Sequence, residues 1–451
     1  MKNQFNLIKS CKLAAPLALA LSIFASPSLQ AGATIPGITG PTFTLNTNDD
    51  FLTTPDGGSV YVWGYGVGNN SAMQYPGPTL IVNQGDTVTI NLTNHLPQYT
   101  SIVFPGQEGV TSSCAIAAQC RNGLLAKEVR PNGKVTYSFV AGKPGTYLYH
   151  SGTRPDLQSE MGLVGAMIVR PTGYTGVGAN NRAYNHAGSR YDHEYMSLLT
   201  EMDVRIHDEV QNGAYNSVDT RDYKPVWWFI NGRNSVDTLS ADNDALLPNQ
   251  PYGAAVRTRP GEKVLLRLIG AGRDPHPYHT HGNNFTLLAK DARMFESNPG
   301  VSGPNRTTSG FTNETFPGDT YDLLFTWSGA GLGWDMYGYT HATQPTYCGA
   351  NNNALAAYPA DKRSQLATDR CKPLPVVLPG LQELTFGPFY SGSPYLGGEG
   401  QLPPGEGGFN ANNGYFFMWH SHSERELVNF DIFPGGMMTF LIVEPPGTPI
   451  P

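Results

Sequence analysis

"YPGPTLIVNQGDTVTINLTNHLP", residues 75–97, places a turn containing Gly85 and Asp86 ahead of a run in which Val88, Ile90 and Leu92 alternate with polar residues. Alternation with a period of two is the signature of a half-buried strand, and Gly, Asn and Asp supply the turn. Similar signals surround it over residues 41–172: "FTLNT", "SVYVWGYG", "GKVTYSFV", "GTYLYHSG" and "GLVGAMIVRP". Their spacing is that of a β-sandwich. The chain has 52 glycines and 36 prolines, and long stretches with helical spacing are scarce, so the predicted class is all-β.

A second set of strand signals begins after residues 173–192, which read as a linker rich in Gly, Asn and Tyr. It comprises "YMSLLTEMDV", "VWWFING", "GAAVRTRPGEKVLLRLIGAG", "NNFTLLAKD", "TYDLLFTW", "GYFFMWHSH" and "MMTFLIVEP". Within it "RPGEKVLLRLIG", residues 259–270, echoes "NQGDTVTINLTN", which suggests two copies of one sandwich. The second domain is predicted over 193–447, with a long insertion at about 328–415 covering the site.

Residues 1–33 have the layout of a signal peptide: Lys2, Lys9 and Lys12, then "LAAPLALALSIFA", then small residues. Removing a segment with three lysines and no acid moves the formal charge from −7 to −10. The mature protein is expected to be exported, periplasmic or extracellular. Basic clusters are missing, which argues against nucleic acid as a partner, and no apolar run reaches the length of a membrane span. Four cysteines would remain, and in an oxidising compartment they pair most simply as Cys114 with Cys120 and Cys348 with Cys371.

The chemistry is concentrated in "PHPYHTHG", residues 275–282, and "WHSHSE", residues 419–424. On strands, His279 and His281 share one face, and so do His420 and His422. Two such strands side by side would offer four imidazoles to one cavity, a donor set suited to copper or zinc. His150, ending "YLYHSG", is a further candidate.

These stretches, with "YPGPTLIVNQGDTVTINLTNHLP", "GLVGAMIV" and "GGMMTFLIVEP", stand in the order found in multicopper oxidases. The resemblance covers residues 41–447 apart from the insertion and is closest to the two-domain, laccase-like branch. It implies two cupredoxin domains, each a Greek-key β-sandwich. It also implies enzymes that take electrons from a small-molecule or metal-ion substrate at a type 1 copper and reduce oxygen to water at a trinuclear cluster. In the two-domain branch that cluster lies between subunits of a homotrimer.

Position by position, the resemblance also exposes losses. Val103 and Pro105 stand where cluster histidines are expected, and Gly152 replaces the partner of His150. His279, His281, His420 and His422 are kept, and His276 holds a type 1 position. Ser421 stands in place of the type 1 cysteine and Glu426 in place of its histidine. A serine hydroxyl is a hard, poor ligand for cuprous copper, so no blue centre is expected. The expected function is therefore an exported copper-binding protein with fewer ions than a full multicopper oxidase, with zinc as another occupant. As an oxidoreductase it would work without a type 1 centre. The competing readings are a copper carrier and an inactive scaffold for partner binding.

Overall fold

The turn that opens the alternating strand is closed by its own residues: Asp86 Oδ2 accepts from the Asn83 backbone N–H at 2.8 Å. Gly85 takes a φ of 93°, and its counterpart Gly261 in the second copy takes 85°, values that favour glycine. The computed structural model describes residues 33–69, 72–328, 415–444 and 448–450. The leader apart from Ala33, Cys348, Cys371 and nearly all of the expected insertion lie outside the described residues.

In the first sandwich, Thr87–Asn94 lies between Thr42–Thr53, to which it is parallel, and Lys134–Val140, to which it is antiparallel. The facing sheet sets Val164–Arg170 between Gly77–Asn83, parallel, and Gly145–His150, antiparallel. The second sandwich repeats both arrangements. Lys263–Gly270 lies between His193–Met202, parallel, and Thr320–Thr326, antiparallel. Met438–Val443 lies between Val256–Thr258, parallel, and Tyr415–Ser421, antiparallel. The echo between residues 83–94 and 259–270 is thus an echo of position in the sheet.

Alternation decides what each strand buries. Val88, Ile90 and Leu92 enter the first core with Trp63, Tyr137, Phe139 and Tyr149. On Val164–Arg170, Met167 and Val169 face that core, whereas Val164, Ala166 and Ile168 pack against Leu198, Met202, Phe229 and Ile269 of the second sandwich. A strand buried on both faces must be apolar throughout, which is why this segment reads as a continuous run. Val164, Met167, Ile168 and Val169 each contribute roughly 1.5–3 kcal/mol of burial.

Polar groups also cross this junction. Arg170 and Arg267 each reach Glu194 at 2.6 Å, and Arg267 Nη1 donates to Thr146 Oγ1 at 2.7 Å. Thr146 Oγ1 donates in turn to Asp322 at 2.6 Å. Burial alone would raise the pKa of Glu194, yet the two guanidinium groups hold it at about 2. Residues 173–192 are a packed strap: Ala183, Tyr184 and Tyr191 are buried with Leu265, Leu288 and Leu324.

One local reading changes and another holds. The strand expected to run through Val204 ends at Met202, and Asp203 caps a helix, Val204–Gln211, by accepting from the Arg205 backbone N–H. The Cys114–Cys120 disulfide is formed. No described helix is long and apolar enough to cross a membrane.

Candidate metal centre

Strand His276–Thr280 divides its side chains between two faces. Tyr278 is wholly buried in the second core and His276 is wholly buried on the same side, whereas His279 points to the opposite, outer side. The neighbouring strand Tyr415–Ser421 is in register so that His279 faces His420 and Tyr278 faces Ser421. Phe417 and Trp419 fill the core, so His420 faces outward and Ser421 inward. His281 and His422 lie just past the strand ends, each two residues beyond an outward histidine.

The outer face therefore gathers all four. Ring centroids of His279 stand 4.8 Å from His281, 5.4 Å from His420 and 4.8 Å from His422. Donor atoms of His279, His281 and His420 lie within 4.8 Å of one another, and among the described residues this is the group that could hold a metal ion. His422 stands at its exposed rim, 52% exposed, with Nδ1 at 3.2 Å from Glu424.

Several Nδ1 atoms are already engaged, which directs Nε2 toward the centre. His420 Nδ1 donates to the Ser421 carbonyl at 2.7 Å, and His279 Nδ1 lies 2.6 Å from the Thr312 hydroxyl. His420 Nε2 and His281 Nε2 face each other at 3.2 Å. Partners of this kind on the far nitrogen fix tautomer and orientation in metal sites. Burial, followed by His281 and His422, pushes the pKa of His279 down to about 4. Burial is again the first cause for His420, which falls to about 3 beside the other three rings. Both are neutral near pH 7 and keep the lone pairs that copper or zinc requires. The donor set fits such an ion. His279, Thr280, His281, Asn283, Asn284 and Phe311 line an open cavity of about 470 Å³ beside it.

The first sandwich holds the matching location without its ligands. Gly145–His150 occupies the place that Tyr415–Ser421 has in the second copy, and Val103 bridges His150 as His279 pairs with His420. By the same count Pro105 matches His281 and Gly152 matches His422. A Cβ on Gly152 would lie 2.6 Å from Val103 Cγ1, 3.1 Å from Ser101 Oγ and 3.4 Å from Leu125 Cβ, so the space is closed to a larger side chain. His150 keeps the same Nδ1 bond, at 2.9 Å to the Ser151 carbonyl, but is not one of the three-histidine group. Gly152→His alone is expected to destabilise the fold by about 1–3 kcal/mol through overpacking, measured by denaturant unfolding, without adding a metal equivalent.

His276 lies apart from the converging group. Its Nδ1 lies 2.8 Å from Glu426 Oε2 and its Nε2 2.8 Å from Glu201 Oε2. Carboxylates thus stand at both ring nitrogens, the atoms through which His276 would bind a metal. Burial opposes its charge, but Glu201 and Glu426 together raise its pKa to about 10. Glu426, expected at a former ligand position, is thus an ion-pair partner. Inward-facing Ser421 is fully buried, and its Oγ accepts from the Ser423 backbone N–H at 3.2 Å.

Glu201 was missed by the sequence reading. The available signal was an acid inside the apolar strand "YMSLLTEMDV", because a buried carboxylate requires partners. Those partners, Tyr223, Arg273, Asp274 and His276, lie 22 to 75 residues away.

Residues 53–173 match the family model described as multicopper oxidase. Laccase abr2 of Aspergillus fumigatus is 38% identical over 98 residues, covering 22% of this chain and 16% of that protein. Laccase-8 of Oryza sativa subsp. japonica is 25% identical over 293 residues, covering 64% of this chain and 49% of its own length. The chain thus spans less than half the length of these relatives. Among solved structures, a blue copper oxidase from Nitrosomonas europaea superposes with a TM-score of 0.53 at 17% identity, covering 89% of this chain and 85% of its own. The multicopper oxidase mgLAC gives 0.53 at 16% identity, covering 91% and 87%. These likenesses show the fold, a cupredoxin-like β-sandwich architecture.

Proposed function

We propose that the chain, whose residues 53–173 match the multicopper oxidase family model, is an exported copper protein of that family and binds its metal on the second of two cupredoxin domains, residues 41–172 and 193–447. His279, His281 and His420 are the ligands, with His422 at the rim. The observation that supports this most strongly is the convergence of the three donor atoms within 4.8 Å, two of the rings being oriented through Nδ1.

Bound copper would supply one-electron redox chemistry; zinc would supply a Lewis acid in the same imidazole set. The residues of the chain do the rest. Thr312 and the Ser421 carbonyl orient two rings, Phe311 shields one side, and Asn283 and Asn284 border the open cavity where a small-molecule or metal-ion substrate would approach. Electron entry through a thiolate is not part of this reading, because Ser421 and the Glu426–His276 pair occupy that route. Four-electron reduction of oxygen is not part of it either, because Val103, Pro105 and Gly152 offer no ligands.

Metal analysis together with an electron paramagnetic resonance spectrum tests the reading. Stoichiometric copper with no intense blue band is expected, and protein that retains no copper after reconstitution overturns it. Oxygen uptake with phenols, cuprous ion or manganous ion then divides an oxidoreductase from a carrier. The carrier reading is favoured by the exposure of His422. A scaffold without metal would show no change in melting temperature with copper or zinc, since only binding to the native state stabilises. Assembly as a homotrimer could bring His150 of one chain toward the four histidines of the next, and sedimentation tests it.

A further inference from the structure

The strands His276–Thr280 and Tyr415–Ser421 carry two back-to-back locations, and the inner one is already filled by side chains. We propose that Glu201, His276 and Glu426 form a closed proton-holding site, in which a doubly protonated imidazole takes the inner position and shuts it to metal ions. Confinement of metal to the outer face rests on the reading above; the proton in the triad does not.

The geometry supplies the argument. The carboxylate oxygens sit 2.8 Å from opposite edges of one ring, so a single ion cannot engage both while His276 stays between them. Ionised carboxylates only accept, so both ring nitrogens must donate, which requires the imidazolium. The side chains of His276 and Glu201 are fully buried and that of Glu426 is 7% exposed, so water does not compete.

Three donors converge on the other oxygen of Glu201. The backbone N–H of Arg273 donates at 2.5 Å, that of Asp274 at 2.9 Å, and the Tyr223 hydroxyl at 3.2 Å. A Cβ at residue 272 would stand 1.9 Å from Glu201 Oε2, so Gly272 is what lets the carboxylate reach the ring. Glu426 comes from the short turn Glu424–Glu426, whose backbone carbonyl at Glu426 accepts from Met437 N–H at 2.8 Å.

Three segments far apart in the chain are therefore tied by one proton. The other charged and titratable groups facing the triad are Asp274 and Arg425 beside it, Arg273 stacked on the Tyr223 ring at 4.1 Å, and buried Glu160 behind Tyr223. Of these, Asp274 interacts electrostatically with His276 and with Arg425, whereas burial raises the pKa of Glu160 and so disfavours its charge. Because His276 is raised from 6.5 to about 10 on folding, its stabilisation is complete below its ordinary pKa and is lost as pH rises through about 10.

Nuclear magnetic resonance of the full chain with nitrogen-15-labelled histidine tests this at about pH 8, above the ordinary histidine range. One ring should carry protons on both nitrogens, and they should persist when zinc shifts the outer histidines. In Glu426→Gln that ring should lose one proton by the same pH, with circular dichroism unchanged. A His276 ring with a single N–H in the unaltered protein, or N–H signals that vanish on adding zinc, would overturn the proposal. If zinc moves none of the outer rings while both His276 protons persist, the metal reading fails and the triad stands. Ser421→Cys loaded with copper gives a second check. No intense blue thiolate band is expected, because the triad keeps its imidazole; such a band would show the inner position open to metal.

Discussion

Copper content of the purified protein should fall from stoichiometric to background in a His279→Ala, His420→Ala double variant, with the β-sheet circular dichroism retained. The two residues face each other across the strand pair and supply two of the three converging donors. Losing merely an outer partner of a metal-bound histidine typically costs about 10–100-fold in affinity, so removing two ligands should exceed that range. His420 is nearly buried, and truncating it also leaves a small void. His279→Ala alone, at a half-exposed position, therefore separates lost metal from lost packing. Copper that remains stoichiometric in the double variant would place the metal elsewhere.

The second large effect concerns stability. Arg267→Met removes the fully buried guanidinium that joins Glu194, Asp322 and Thr146 across the two sandwiches. Breaking a buried ion pair from one side typically costs about 3–5 kcal/mol, because the abandoned charges stay in a poor solvent. Chemical denaturation should show that loss. Acid sensitivity should change with it. The carboxyl of Glu194, held at about 2, contributes stability that is present above its unfolded pKa and lost as pH falls toward 2. With Arg267 gone, Arg170 alone lowers that pKa and the loss should begin at higher pH. A change below about 1 kcal/mol would mean that the network is no stronger than a surface pair.

The fold was legible where period and turn chemistry agreed. Val88, Ile90 and Leu92 behind Gly85 and Asp86 announced a strand, and they are fully buried or nearly so. The helix Val204–Gln211 was missed because it follows a strand without a glycine or proline between them. Only Asp203 and the four-residue spacing of Ile206 and Val210 marked it. Residues 173–192 have no period, yet Tyr184 and Tyr191 are buried there, since a few aromatic anchors can pack a strap that forms no ladder.

At the site, the HxH spacings put the two rings of each pair on one side by strand alternation, and the strand pairing, which the sequence does not show, brings the two pairs together. The true surroundings of His276 were not readable. Its two partners come from residues 201 and 426, and only the folded chain brings them to opposite edges of one ring.

The near-identity of the two strand ends, His150–Ser151 and His420–Ser421, makes the molecule its own reference. Both rings hand an Nδ1 proton to the carbonyl of the following serine, at 2.9 and 2.7 Å, yet one sits among imidazoles and the other is bridged by Val103, where the second copy has a histidine. Ring orientation at this point is therefore a property of the backbone, inherited by both copies. What distinguishes a furnished socket from a bare one is only the set of side chains opposite. The cost of evolving or erasing a metal centre on this scaffold is thus confined to a handful of side-chain replacements, with no remodelling of the sheet that presents them.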